Sequence, residues 1–462
     1  LKKTQSEYPL RDIGTNLEAG TFWLSEEERA DHLHILGTTG EGKSRFIELL
    51  IRGDIQNGNG VCFLDPSENG DTMYRILRYC ASIGFEKVCL IDPHQRPLAC
   101  IQPFDKKYKA ASVANVDSTI RTVFQTKDAA ETTRINRYLP ALLRVLWSSG
   151  MTLRESVYFS DYENAGYKAR RMEILSRLDI DDRDRVMLEG VFKNYPRFEQ
   201  YFSSTVNRLE PYWDSTLALM FGADKGVDFI KMITEGWVIL VSLYSGLGFE
   251  PLQTRLLGTT VINEVIHALD RLGKRGWKGV YYLYIDEAGR YANRNLADLL
   301  AYKRKSGLRL AIAHQYFKQF DDPFVLEAVK NLTKIKVMFN TPNPTDRLEM
   351  VKLLGYGGNI PRLEAEYANK DIPKQYAVIK KGKTPPVRVR IKDVPDPLNV
   401  WDKKAKTEFI KKILSNEWNL TSDEIRDQIK KRFNDDQAKR DSKSPRKGTK
   451  ANKRASVKTV FD

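Results

Sequence analysis

The chain has 462 residues, of which 41% are hydrophobic and 10% aromatic, and it carries a formal charge of +15. Such a length exceeds one ordinary core and predicts two domains with appendages, and the apolar share is enough to fill them. No window approaches about eighteen uninterrupted apolar residues, and no basic-then-apolar leader opens the chain, so neither a membrane span nor a signal peptide is expected within it. Because the chain opens on Leu1 rather than Met, prior removal of an N-terminal anchor stays open. Cys62, Cys80, Cys89 and Cys100 lack CxxC spacing, and three of them lie in strand-like apolar runs. They read as buried free thiols of a reducing compartment rather than a metal site.

In chain order, His34, Ile35 and Leu36 predict a buried strand that runs into a glycine-rich turn. Phe46, Leu49, Leu50 and Ile51 then recur at helical spacing, predicting a helix from Ser44 to Asp54. A strand is expected at 60–66, a helix through Tyr74, Ile76, Leu77 and Cys80, and another strand at 87–93. That alternation predicts an α/β unit with a mainly parallel sheet. Both strands end in Asp-Pro, setting Asp65 and Asp92 at carboxyl ends, where open α/β sheets hold their ligands.

From about Asp105 to Glu210 the strand signals vanish. Helical series run through Ile135, Leu139, Leu142, Leu143 and Leu146, through Met172, Ile174, Leu175 and Leu178, and through Val206, Leu209 and Trp213. An all-α domain at 105–215 is therefore expected to interrupt the α/β domain, leaving its two parts at 1–104 and 216–400. Strands return at 236–243, 279–287, 308–315, 334–340, 375–382 and 386–392, the last two as an antiparallel addition at the sheet edge. Residues 401–437 are expected to be helical. The tail, 438–462, carries nine Lys/Arg against two Asp and little apolar content. It predicts a disordered basic arm, either simply solvated or seeking phosphate or lipid.

The chemistry begins at Gly37, Thr38, Thr39, Gly40, Glu41, Gly42, Lys43 and Ser44, which fit G-x-x-x-x-G-K-[ST]. Small residues let backbone N–H groups converge on phosphate oxygens, and the following helix adds its positive N-terminus. Lys43 is suited to reach the β- and γ-phosphates and Ser44 to ligate Mg²⁺. Asp286 and Glu287 close the strand YYLYIDE. The first suits contact with Mg²⁺ and the second suits polarising an attacking water, a combination that favours hydrolysis over nucleotide sensing. Gln315 ends the neighbouring strand, where an amide can sense the γ-phosphate. Arg304 falls at the end of the preceding helix, either as a cation acting across a subunit boundary or as a solvated charge beside Lys303 and Lys305.

The series HLHILGTTGEGKS, FLDPSENG, the helical insertion, GWVILVSL, LYIDEAGRYANRNLADLLAYKRKSGLRLAIAHQ and KNLTKIKVMFNTPNPTDRLEMVKLLG runs in matching order over roughly residues 12 to 397. It resembles the type IV secretion coupling proteins of conjugative DNA transfer, relatives of the HerA and FtsK motor ATPases. The resemblance implies a RecA-like P-loop core with an all-α insertion, assembled as a hexameric ring that hydrolyses ATP with Mg²⁺ and pumps DNA. It assigns Lys43 and Ser44 to the Walker A pair and Asp286 and Glu287 to the Walker B pair. Gln315 becomes the sensor glutamine and Arg304 the arginine that completes a neighbour's site. Implied partners are DNA, a relaxase and the secretion channel, with a cytoplasmic location, free or in peripheral contact with the inner membrane. The chain departs from that pattern in two places: DPSE stands where a basic residue often follows Asp-Pro, and the membrane anchor typical of coupling proteins is not expected within residues 1–462. A repair, segregation or virion-packaging translocase is the alternative motor. An ATP-gated scaffold recruiting a relaxase or protein cargo is the alternative outside motors, and Glu287 argues against it because a scaffold needs no hydrolytic base.

Overall fold

The computed structural model describes residues 11–16, 20–125, 128–302, 307–355, 359–368, 370–397 and 402–441. The apolar runs form strands where the sequence predicts them: β3 (Leu33–Leu36), β4 (Gly60–Asp65), β5 (Val88–Ile91), β7 (Val238–Ser242), β8 (Tyr281–Ile285), β9 (Leu308–His314) and β10 (Ile335–Met338). These seven are parallel, in the order β10-β3-β9-β8-β4-β7-β5. Their continuous hydrophobicity follows from burial on both faces. In β8, Tyr281, Leu283 and Ile285 enter the core on one face and Tyr282 and Tyr284 the core on the other.

Four antiparallel strands extend the sheet beyond β10 to eleven: β11 (Tyr376–Lys381), β12 (Val387–Ile391), β1 (Arg11–Asn16) and β2 (Gly20–Leu24). The hairpin β11–β12 matches expectation, but it is not the edge. β1 pairs with β12 through Gly14 opposite Ile391, and β2 lies outside it. A short strand of mixed polarity is hard to read locally. It forms here because the open side of β12 offers unpaired backbone groups to a segment distant in sequence.

Helices cover both faces. Lys43–Gln56 and Asp71–Ser82 pack on one side, where Phe46, Leu50 and Ile76 meet Val61, Phe63 and Tyr284. On the other, the long helix Pro251–Lys274 carries Leu257, Val261 and Val265 into one core with Leu283 and Ile285. Helices Lys109–Val123 and Ala129–Ser148 extend that same core outward through Ile120, Leu139, Leu142 and Leu146.

The C-terminal segment touches both layers. Helix Lys403–Ile413 buries Ile413 beside the first core, β13 (Asn419–Leu420) pairs with β6 (Leu98–Ala99), and helix Ser422–Asp441 sends Ile425, Ile429 and Phe433 into the second. Because this helix continues to Asp441, residues 438–441 of the expected disordered tail are helical; 442–462 lie outside the described residues. All four cysteines are free and buried. No helix among the described residues is long and apolar enough to cross a membrane.

Candidate active site

The glycine-rich loop leaves the buried end of β3 and is anchored on both neighbouring strands. Gly37 N–H donates to the carbonyl of His314 at the end of β9, and Thr38 N–H to that of Asn340 beyond β10, each at 3.2 Å. Gly42 caps the helix Lys43–Gln56 with φ 109°, a conformation that a side chain would strain. Thr39 and Gly40 stand exposed at the loop crest and Glu41 is half-buried.

Lys43 turns under this loop, 4% exposed, with Nζ 3.2 Å from Asp286 Oδ1 and 3.3 Å from Glu287 Oε1. Ser44 Oγ lies 3.5 Å from Asp286 Oδ2. β8 positions both acids: it sits two strands from β3, and the chain turns sharply at its end. Glu287 adopts a left-handed backbone, φ 50° and ψ 40°, which costs a non-glycine residue about 1–2 kcal/mol. Such strain marks a constrained position.

The Glu287 carboxylate is held from both oxygens. Gln315 Nε2 donates to Oε1 and Gln319 Nε2 to Oε2, both at 2.5 Å. Burial pushes its pKa up, but Lys43 and the two amides outweigh burial and hold it below the ordinary glutamate value. The result is a carboxylate kept ionised and aimed. Gly289 permits the arrangement: a Cβ there would stand 2.5 Å from Gln319 Cβ and 2.6 Å from its carbonyl carbon and oxygen. Gln319 is the site residue that sequence reasoning missed. Its only signal is the four-residue spacing from Gln315, whose N–H it also accepts at 2.8 Å.

Beneath the loop, His34 on β3 and His314 on β9 approach to 2.6 Å between Nε2 atoms, with stacked rings. One nitrogen must donate and the other accept, so the pair carries a single bridging proton. Burial pushes both pKa values down, that of His314 to about 3.

The structure thus brings together Lys43, Ser44, Asp286, Glu287 and Gln315, while Arg304 lies outside the described residues. The two Asp-Pro carboxylates serve local turns instead. Asp65 accepts N–H bonds from Ser67 and Met73, and Asp92 binds Tyr74 Oη and the N–H of His94. Burial pushes Asp65 up to about 6 against those N–H bonds, with Asp286 adding to the rise.

A nucleotide and Mg²⁺ fit this donor set. A Cβ on Gly40 would meet nothing within 4 Å, so the crest is open to a ligand, and the Ser44 hydroxyl and Asp286 carboxylate converge as hard oxygen ligands.

No family model and no curated protein matches the chain. Solved structures do. The conjugative coupling protein TrwBdeltaN70 in its unbound monoclinic form is 16% identical with a TM-score of 0.59, over 87% of this chain and 99% of that one. TrwB in complex with ADP and Mg²⁺ is 16% identical with a TM-score of 0.56, over 86% and 93%. VirB4 of Thermoanaerobacter pseudethanolicus is 15% identical with a TM-score of 0.52, over 85% and 98%. With its loop, acid pair and parallel strand order, the chain therefore has the α/β P-loop fold of the conjugative coupling protein TrwB and of VirB4.

Proposed function

We propose that this protein is an ATP hydrolase that drives DNA, delivered with a relaxase, into a type IV secretion channel. It acts as a ring oligomer at the cytoplasmic face of the inner membrane. The observation that carries the reading is the Glu287 carboxylate, ionised, set beside Lys43 and clamped by Gln315 and Gln319. A site that only sensed nucleotide would have no use for an aimed base.

Each side chain has a task. Backbone N–H groups of Gly37–Gly42 bind the phosphates, Lys43 exchanges its acid partners for phosphate oxygens, and Ser44 with Asp286 holds Mg²⁺. Bound there, Mg²⁺ supplies neutralising charge to the phosphates. Glu287 orients the attacking water and takes its proton. Gln315, bonded to that carboxylate, reports loss of the γ-phosphate along β9. Arg304 enters this reading as the residue that completes a neighbouring subunit's site.

The DNA step draws support from the fold shared over most of the chain with a protein described as a conjugative coupling protein, and from the +15 charge. The test is ATP turnover by the purified chain with and without added DNA. Stimulation by DNA supports the motor. Nucleotide binding without turnover in either condition favours the gated scaffold and overturns the proposal.

A further inference from the structure

The helical layer carries a second concavity, far from the chemistry in sequence and opposite in character. A cavity of about 980 Å³ is lined by Arg134, Arg137, Arg183, Arg197, Tyr138 and Tyr201, with Asp181 as the acid among its lining residues. Three helices build it. Arg134 and Arg137 are three apart on Ala129–Ser148, Arg183 opens Arg183–Val191, and Arg197 and Tyr201 are four apart on Tyr195–Tyr201, so each pair shares a face.

Several other arginines in this layer are matched to acids, while Arg171 is held by the backbone carbonyls of Tyr158 and Asp161. Arg144 makes two bonds of 2.7 Å to Asp184, Arg121 meets Asp117 at 2.7 Å, Arg185 meets Glu189 at 2.8 Å and Arg208 meets Glu131 at 2.6 Å. Among the described residues, none of the four cavity arginines forms an ion pair; Arg134 acts on the helix-capping Asp128 only at longer range. Arg137 turns its Nε to Met187 Sδ at 3.5 Å and its guanidinium lies 5.4 Å from the Tyr138 ring centre. Four cations gathered around one concavity repel one another, a cost that a polyanion removes.

We infer that this cavity is a binding groove for single-stranded nucleic acid. The guanidiniums would take successive phosphates, and Tyr201, 36% exposed at the rim, would take a base on its ring. Guanidiniums match phosphate geometry, and an exposed ring beside them fits a stacked base better than a lipid headgroup. The inference rests on the proposed DNA function and adds where, outside the nucleotide site, the strand is gripped.

The test uses the full chain with a fluorescent single-stranded oligonucleotide, across a salt series. Replacing Arg134, Arg183 and Arg197 together by Gln should lower the slope of log K against log[salt] by about two, at roughly 0.7 per phosphate contact on a single strand. The corresponding triple Lys variant should keep the slope. Tyr201→Leu should weaken binding about tenfold at every salt concentration. DNA-free ATP turnover should stay unchanged in all three, which also reports that they fold. If the wild-type chain binds the oligonucleotide and the Gln variant binds it with the same slope, the groove is wrong and the DNA function stands. If the wild-type chain binds no single-stranded oligonucleotide, the groove is wrong, and the DNA function falls with it only if added DNA also leaves ATP turnover unchanged. Loss of binding to phosphatidylserine vesicles with oligonucleotide binding intact would reassign the groove to a membrane surface.

Discussion

Gln319 joins the two halves of the hydrolytic set: its Nε2 donates to Glu287 Oε2 at 2.5 Å, and its Oε1 accepts the backbone N–H of Gln315 at 2.8 Å. Hydrogen bonds to a charged carboxylate favour the ionised form, so losing this donor lets burial raise the Glu287 pKa. Gln319→Leu is expected to lower kcat roughly tenfold with little change in the KM for ATP. The acid limb of its kcat–pH profile should move to higher pH. A profile that keeps the wild-type limb would show that Gln319 does not tune the base.

Glu287→Gln retains the shape of the site and removes its base. Turnover should fall by about 10² or more while ATP affinity holds, read by single-turnover kinetics and nucleotide titration. Lys43→Ala should instead damage binding and turnover together, because it removes the phosphate ligand and leaves Asp286 and Glu287 without their cation.

The buried pair His34–His314 makes stability depend on pH. An unfolded histidine takes up a proton near 6.5, whereas His314 in the fold does so only near 3. Between those values the unfolded state binds more protons, so the stability contributed by the neutral pair is present above about 6.5 and is lost as pH falls. Denaturant midpoints measured from pH 7.5 to 4 should decline. In His314→Phe the decline should be shallower, and an equal slope in the variant would assign it to other groups.

Arg29 and Asp54 form a fully buried ion pair at 2.9 Å. Arg29 also donates to Tyr284 Oη at 2.6 Å and lies over the Tyr282 ring. This joins the N-terminal segment, the helix after the phosphate loop and β8. Asp54→Ala leaves a buried cation without its carboxylate and should cost about 3–5 kcal/mol. Combining it with Arg29→Met should recover most of that loss, as read from urea midpoints. No recovery in the double variant would mean that the pair is not the source of the cost.

If Arg304 completes a neighbour's site, mixed oligomers will reveal it. Arg304→Ala subunits combined with Lys43→Ala subunits should form some composite sites with one intact set, giving ATP turnover above either parent. Mixtures that only average the two parents, while subunits still exchange, would place the arginine outside the neighbouring site.

What the sequence determined by itself was whatever depends on neighbours along the chain. The loop Gly37–Ser44 is legible because one contiguous turn binds phosphate, and Asp286 and Glu287 because a buried apolar strand announces the end that carries them. The parallel strands were readable from burial on both faces, which leaves long apolar runs. The tertiary structure decided which elements abut. Gln319 reaches Glu287 across 32 positions, and His34 reaches His314 across 280, because strand order sets β9 between β3 and β8. β1 and β2 became strands only because β12 left an edge to pair. The arginine groove is drawn from three helices whose periodicity tells which face is buried but not what that face meets. Local spacing encodes period and turn; contact between distant segments is chosen by packing and hydrogen-bond closure over the whole sheet, which no short window of sequence contains.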